Sequence, residues 1–336
     1  MRVLIGIVIG ADYPIATSMI TEFSNTRQRA FSIGFIAAMW YVGATCADLV
    51  GYWLYDVEGG WRWMLGSAVI PCILILIGRF DLPESPRWLL RKGRVKECEA
   101  MMIKLFGEPV VFDEEAPQET RFLQLFNRRH FPFVLFVAAI WTCQVIPMFA
   151  IYTFGPQIVG LLGLGAGKSA ALGNVVISLC FMLGCIPPMF WLNSAGRRPL
   201  LIGSFIMMTL ALAVLGLIPD MGAWLVVLAF AVYAFFSGGP GNLQWLYPNE
   251  LFPTDIRASA VGVIMSLSRI GTIVSTWALP VFITKYGISN VMLMGAGISL
   301  IGLLVSIAFA PETRGLTLAQ TSQMTIRSKP VTRTGY

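Results

Sequence analysis

Long apolar stretches, broken by short polar turns, run along most of the chain. Nine of them lie near 1–21, 30–55, 62–80, 131–154, 169–192, 199–219, 223–247, 258–284 and 287–310. Each has close to the ~20 residues that a helix needs to cross a hydrocarbon layer of ~30 Å. Gly and Pro interrupt several, which membrane helices tolerate where neighbours satisfy the freed backbone groups. The first stretch reads as a span rather than a leader, since it carries Asp12 and Pro14 and lacks a basic region followed by a small-residue cleavage site. The pattern predicts an all-α integral membrane protein with nine transmembrane helices.

The interval 81–130 is the only sizeable polar piece. Ser85-Pro86-Arg87 suits a helix start, 87–106 is amphipathic and basic, and Asp113, Glu114, Glu115 and Pro117 break it. It reads as a linker of short helices between a three-helix unit (1–80) and a six-helix unit (131–310), with 311–336 as a tail.

Composition changes the picture little. The chain is 56% hydrophobic and 12% charged, with mean hydropathy +0.72. Soluble domains carry roughly twice that charge fraction. The net charge of +6 does not point to nucleic acid, because the basic residues sit between apolar spans. One set of connections (22–29, 81–130 with Arg79 at its edge, 193–198, 249–257 and the tail) holds 19 of the 24 Lys and Arg. The opposite set holds four: Arg2, Arg62, Lys168 and Lys285. That bias places the first set, and the carboxyl terminus, in the cytoplasm. The six Cys lack metal spacing and there is one His, so we expect no metal and no cofactor. No N-x-S/T acceptor occurs, which favours a bacterial source and an inner (plasma) membrane location. Gly163 to Ser169 lacks the spacing of a phosphate loop and reads as a turn.

A pattern recurs 228 residues apart. Glu22, Arg29 and Gly34 match Glu250, Arg257 and Gly262, and Pro83-Glu84 matches Pro311-Glu312. Two related halves in an apolar chain mark secondary transporters. The second copy has about 120 residues of its own half ahead of Glu250, but the first has only 21 ahead of Glu22. The offset reads as a transporter lacking its first ~100 residues. On that reading the chain alone leaves an open groove beside Asp12, is poorly expressed, and transports nothing.

Four motifs resemble the major facilitator superfamily, and its sugar-porter-like branch in particular. Pro83-Glu84-Ser85-Pro86-Arg87-Trp88-Leu89 is similar to the signature after the sixth of twelve helices. Pro311-Glu312-Thr313-Arg314-Gly315-Leu316 is similar to that after the twelfth. Asn193-Ser194-Ala195-Gly196-Arg197-Arg198-Pro199 resembles the D-R-x-G-R-R-P turn, with Asn193 in place of Asp. Glu250-Leu251-Phe252-Pro253-Thr254 with Arg257 resembles the acidic motif between helices ten and eleven. The resemblance implies a major-facilitator-type bundle whose nine helices are equivalent to helices four to twelve.

Candidate chemistry follows. Glu22 with Arg29, Glu250 with Arg257, and Glu84 or Glu312 with Arg197 and Arg198 are predicted charge-assisted pairs that gate one face, or else anchor helix ends in the headgroups. Asp12, Asp48 and Arg269 are ionisable groups inside spans, which are functional by default. Asp12 is the leading proton-coupling residue, with Arg269. The alternative is a structural pair of Asp12 with Arg269 or a tyrosine, and for Asp48 a solvated vestibule. Gly10-Ala11-Asp12-Tyr13-Pro14 also resembles a stretch of proton-coupled phosphate porters. Set against the family's sugar-binding stretches, Gln144, Asn242, Gln244 and Trp245 are the substrate-binding candidates. Trp40, Trp141 and Trp277 line the cavity, face lipid or sit in the core, and Asn174 binds substrate or packs helices.

These features predict a monomeric secondary transporter of a small polar metabolite such as a sugar. It works by alternating access, is coupled to H+, and has no enzymatic chemistry. The alternatives are a phosphate or organic-anion porter and, from another class, a non-transporting or inert truncated membrane protein.

Overall fold

The computed structural model describes residues 2–23, 29–80, 84, 89, 92–106, 122–161, 167–218, 222–314, 316 and 321. Their order is α1 (Arg2–Phe23), α2 (Arg29–Trp53), α3 (Gly60–Ser67), α4 (Val69–Arg79), α5 (Val95–Phe106), a short 3-10 helix (Phe122–Phe126), α6 (Phe131–Leu161), α7 (Lys168–Ala195), α8 (Arg197–Leu217), α9 (Ala223–Leu251) and α10 (Thr254–Phe309). Seven helical runs among these residues are long and apolar enough to cross a membrane. The last, Ile256–Phe309, holds two predicted spans and turns at Gly287, where φ is 78°. α3 and α4 together form another, Gly60–Arg79. With α1, every one of the nine predicted stretches falls on helix. The amphipathic part of the linker forms α5, where Arg94 forks onto Glu97 at 2.8 and 2.6 Å and holds that carboxyl below its usual range.

The core lies among α6, α7, α8, α9 and both halves of α10, with α2 laid against α7 and α9. Trp141, Phe181, Phe205, Phe230 and Tyr233 are fully enclosed there. α4 has no buried residue, so its apolar surface faces outward, as suits lipid. In lipid there is no hydrophobic drive between helices, and close approach of small residues takes its place. α7 and α9 cross at Gly184 and Gly238. A Cβ on Gly184 would stand 2.6 Å from Phe235 Cα, and one on Gly238 would stand 2.7 Å from Cys185 N. Only backbone lies in the way, so neither helix has a side chain to move aside.

Gly184→Ala therefore forces α7 and α9 apart. Overpacking of this kind costs about 1–3 kcal/mol. We expect a lower melting temperature of the detergent-solubilised protein, while the same change at Gly203, which has open space around it, leaves it unchanged.

Candidate functional site

A cavity opens where α2, α6, α9 and α10 converge. Its walls include Trp40 and Tyr41 from α2, Trp141 and Phe149 from α6, Gly241, Gln244 and Trp245 from α9, and Arg269 from α10. Trp141 and Trp245 meet edge to face, with ring centres 4.7 Å apart and planes at 67°. Arg269 lays its guanidinium over Phe149, 5.0 Å from the ring centre, a cation–π contact. Gln144 sits behind this wall with no exposure. Its amide Nε2 donates to Ser237 Oγ at 2.9 Å and to Met148 Sδ at 3.4 Å, and Tyr41 OH donates to the same sulfur at 3.3 Å. The carbonyl oxygens of Gln144 and Gln244 are buried with no protein partner. Those of Asn242 and Asn249 on α9 share this state, but among the four only Gln244 stands in the cavity wall, where its oxygen can accept from a solute.

Helix period explains which predicted residues gather here. Successive residues turn by about 100°, so Gly241, Gln244 and Trp245 share one face and Asn242 points elsewhere. Asn242 Nδ2 donates to the Cys185 carbonyl of α7 at 3.0 Å, just ahead of Pro187 and Pro188. Its role here is to tie α9 to α7. Trp277 is 80% exposed and lines no part of the cavity. Asp12 does not meet Arg269. It pairs with Arg79 at the end of α4 at 2.6 Å, and both side chains are about half exposed. Tyr41 and Met148 escaped the sequence reading, although Ile33, Ala37, Tyr41 and Thr45 form a buried i, i+4 stripe on α2.

A second polar cluster ties together the ends of α7, α9 and α10. Gly196, with φ 94°, makes the sharp turn from α7 into α8. The first N–H groups of a helix have no partner within it. Glu312 supplies one: its Oε1 accepts from Arg197 N at 3.0 Å and its Oε2 from Arg198 N at 3.1 Å. A Cβ on residue 196 would stand 2.7 Å from Glu312 Oε2, so glycine serves both the turn and the approach. Arg197, 4% exposed, sends Nη2 to Glu250 Oε1 at 3.2 Å and Nη1 to the Leu192 carbonyl at 2.8 Å. Glu250 Oε2 accepts from Thr313 Oγ1 at 2.5 Å. Arg198 Nη2 reaches the Ile307 carbonyl at 2.8 Å.

The pairing thus differs from the sequence expectation. Glu312 binds the backbone of Arg197 and Arg198 rather than their guanidinium groups. Glu250 takes Arg197 in place of the expected Arg257, which is itself buried. Glu84 is exposed. The side chains of Glu22, Arg29 and Asn193 lie outside the described residues.

A family model described as "Sugar (and other) transporter" matches residues 1–325. The chain belongs to this family of membrane transporters. It is 91% identical to "Putative metabolite transport protein YaaU" of Escherichia coli (strain K12), over 98% of this chain and 74% of that protein. It is 34% identical to "Inner membrane metabolite transport protein YgcS" of the same strain, over 95% of this chain and 71% of that protein. The fold matches a solved structure of the MFS (major facilitator superfamily) proton:xylose symporter XylE from E. coli. That match has a TM-score of 0.75 at 19% identity and covers 91% of this chain and 69% of the other. The expected resemblance and helical architecture are therefore met, and this is a multi-span sugar or metabolite transporter, not an enzyme.

Within this transporter, Arg197→Met strands the Glu250 carboxylate in a buried site. Removing one partner of a buried pair costs about 3–5 kcal/mol. We expect a large loss of thermal stability. Glu250→Gln paired with Arg197→Met should recover much of it, and a double variant no more stable than Arg197→Met would refute the pairing.

Proposed function

We propose that this transporter moves a small polar organic solute, a sugar or a close relative, by alternating access driven by a proton gradient. The observation that carries the reading is the cavity between α2, α6, α9 and α10. It offers the unmet amide oxygen of Gln244, with that of Gln144 behind it, beside aromatic faces, the means by which a protein holds hydroxyls and a ring. Gln144 and Gln244 accept from the solute's hydroxyls, and Trp245 packs on its ring. The family description and the proton:xylose symporter of like fold support the sugar and the proton.

The two units, 1–80 and 131–310, rock about this cavity. The polar cluster of Arg197, Arg198, Glu250 and Glu312 lies within the second unit and the segment after it, and braces that unit's end as one side of the gate. Glu22, Arg29, Glu84 and Arg257 are the other parts of the same gate, and that end opens when the first unit leaves it. The basic bias supports a cytoplasmic position for this end and for the carboxyl terminus, and the name of the YgcS relative supports the inner membrane. Arg269 in the cavity wall favours a second reading, an organic-anion porter, in which its guanidinium holds a carboxylate or phosphate.

Uptake of D-xylose and a panel of sugars and sugar acids, with and without an uncoupler, tests this. Uncoupler-sensitive accumulation is expected. Uptake of none of them sinks the reading in favour of a non-transporting protein. Gln244→Ala and Trp245→Ala should each weaken binding about 5- to 30-fold, since a lost hydrogen bond or stacked ring costs ~1–2 kcal/mol. Normal affinity in both removes the solute from this cavity. Arg269→Gln should abolish binding only if the solute is anionic.

A further inference from the structure

The buried stripe of α2 at Ile33, Ala37, Tyr41 and Thr45 continues one turn further to Asp48, toward the end opposite the charged cluster. There α2 meets α7. Asp48 Oδ1 accepts from Asn174 Nδ2 at 3.1 Å, and Oδ2 accepts from the Ser178 hydroxyl. Asn174 and Ser178 are one turn apart on α7 and both buried, while Asp48 is half-buried. Gly155 of α6 backs onto Asn174: a Cβ there would stand 2.8 Å from Asn174 Cγ. The amide is therefore fixed from behind and faces Asp48.

No counter-charge stands beside Asp48 among the described residues. Among the described residues it forms no ion pair, and no charged group of α1, α3, α6, α7 or α9 is placed against it. The titratable groups on that side are Tyr152 of α6 and, beyond it, Tyr233 of α9 and Cys185 of α7. All three are neutral when protonated. At the rim of the seam, Lys168 is already held by Asp56 at 2.5 Å. Lys168 starts α7, about 9 Å along the helix from Asn174.

A carboxylate with two neutral donors and no cation is costly to enclose, and a protonated one is not. The Ser178 hydroxyl can donate to the carboxylate or accept from the carboxylic acid, so the seam accommodates both forms. Asp12 differs, because Arg79 already serves as its counter-charge at 2.6 Å. We propose that Asp48 takes up the coupled proton and that its protonation lets α2 and α7 close against each other. An O–H bond forms on an Asp48 oxygen with a proton from water on the rim side. The same bond breaks to return that proton to water once the opposite end opens. This role rests on the proton-coupled reading above.

The test uses the protein reconstituted in liposomes, as wild type, Asp48→Asn, Asp48→Glu and Asp12→Asn. Infrared difference spectra between acid and alkaline buffer should show a protonated-carboxyl band in wild type. It should be lost in Asp48→Asn, and kept in Asp48→Glu and Asp12→Asn. With D-xylose as probe, Asp48→Asn should lose accumulation under an inward proton gradient yet keep counterflow exchange, and Asp48→Glu should restore accumulation. Should D-xylose not be carried, the infrared arm decides alone. Wild-type accumulation that ignores an uncoupler overturns the proton-coupled reading and this role with it. A coupled wild type with an Asp48→Asn variant that accumulates normally, or one that keeps the band, overturns the role of Asp48 alone.

Discussion

A polar group buried in packed protein or lipid has no water to bond, so it must find its partner inside the protein. The start of α8 depends on this. Its first N–H groups are met by Glu312, from a segment more than a hundred residues later in the chain. A carboxylate at a helix start gains about 0.3–2 kcal/mol from the helix dipole. The α7–α8 turn and the segment after α10 are in this sense one structural unit. Arg197 extends it to α9, because its side chain serves Glu250 while its backbone serves Glu312. No member of the cluster can be replaced without orphaning another.

The same constraint applies in reverse at the cavity. Of the buried amide oxygens with no protein partner among the described residues, that of Gln244 stands in the cavity wall, where a polar solute can meet it. Asn242, two residues from Gln244, instead braces α9 against the stretch of α7 that leads into Pro187 and Pro188. Binding and bracing amides therefore lie side by side in sequence, and only the turn of the helix separates them.

The helices were legible because each is a run of apolar residues as long as a bilayer is thick. Even the break near Gly287 lies where two predicted stretches end and begin. The family was legible from short motifs with fixed spacing, and of the expected substrate-binding residues Gln244 and Trp245 share one cavity wall, with Arg269, expected beside Asp12, standing there too. The partners were not legible. Arg197 was open to Glu84 or Glu312 in the sequence, and Glu250 was assigned to Arg257, because nearness along a turn favours a pairing that helix crossing then decides. Arg269 was one expected partner of Asp12, whereas the long side chain of Arg79 at the end of α4 reaches it instead. A charge in a span reveals that it needs company but does not name it.

The cavity itself is small. Its free space is about 30 Å³, far below the ~300–1,000 Å³ of a small-molecule pocket. No sugar fits into this conformation, so a solute must select a wider form. Measured affinity is then the affinity of the wide form scaled by its population. A substitution far from the cavity that favours the wide form, such as one in the Glu312 cluster, will raise apparent affinity without adding any contact to the solute. Tight binding by a variant is thus a readout of conformational equilibrium as much as of recognition.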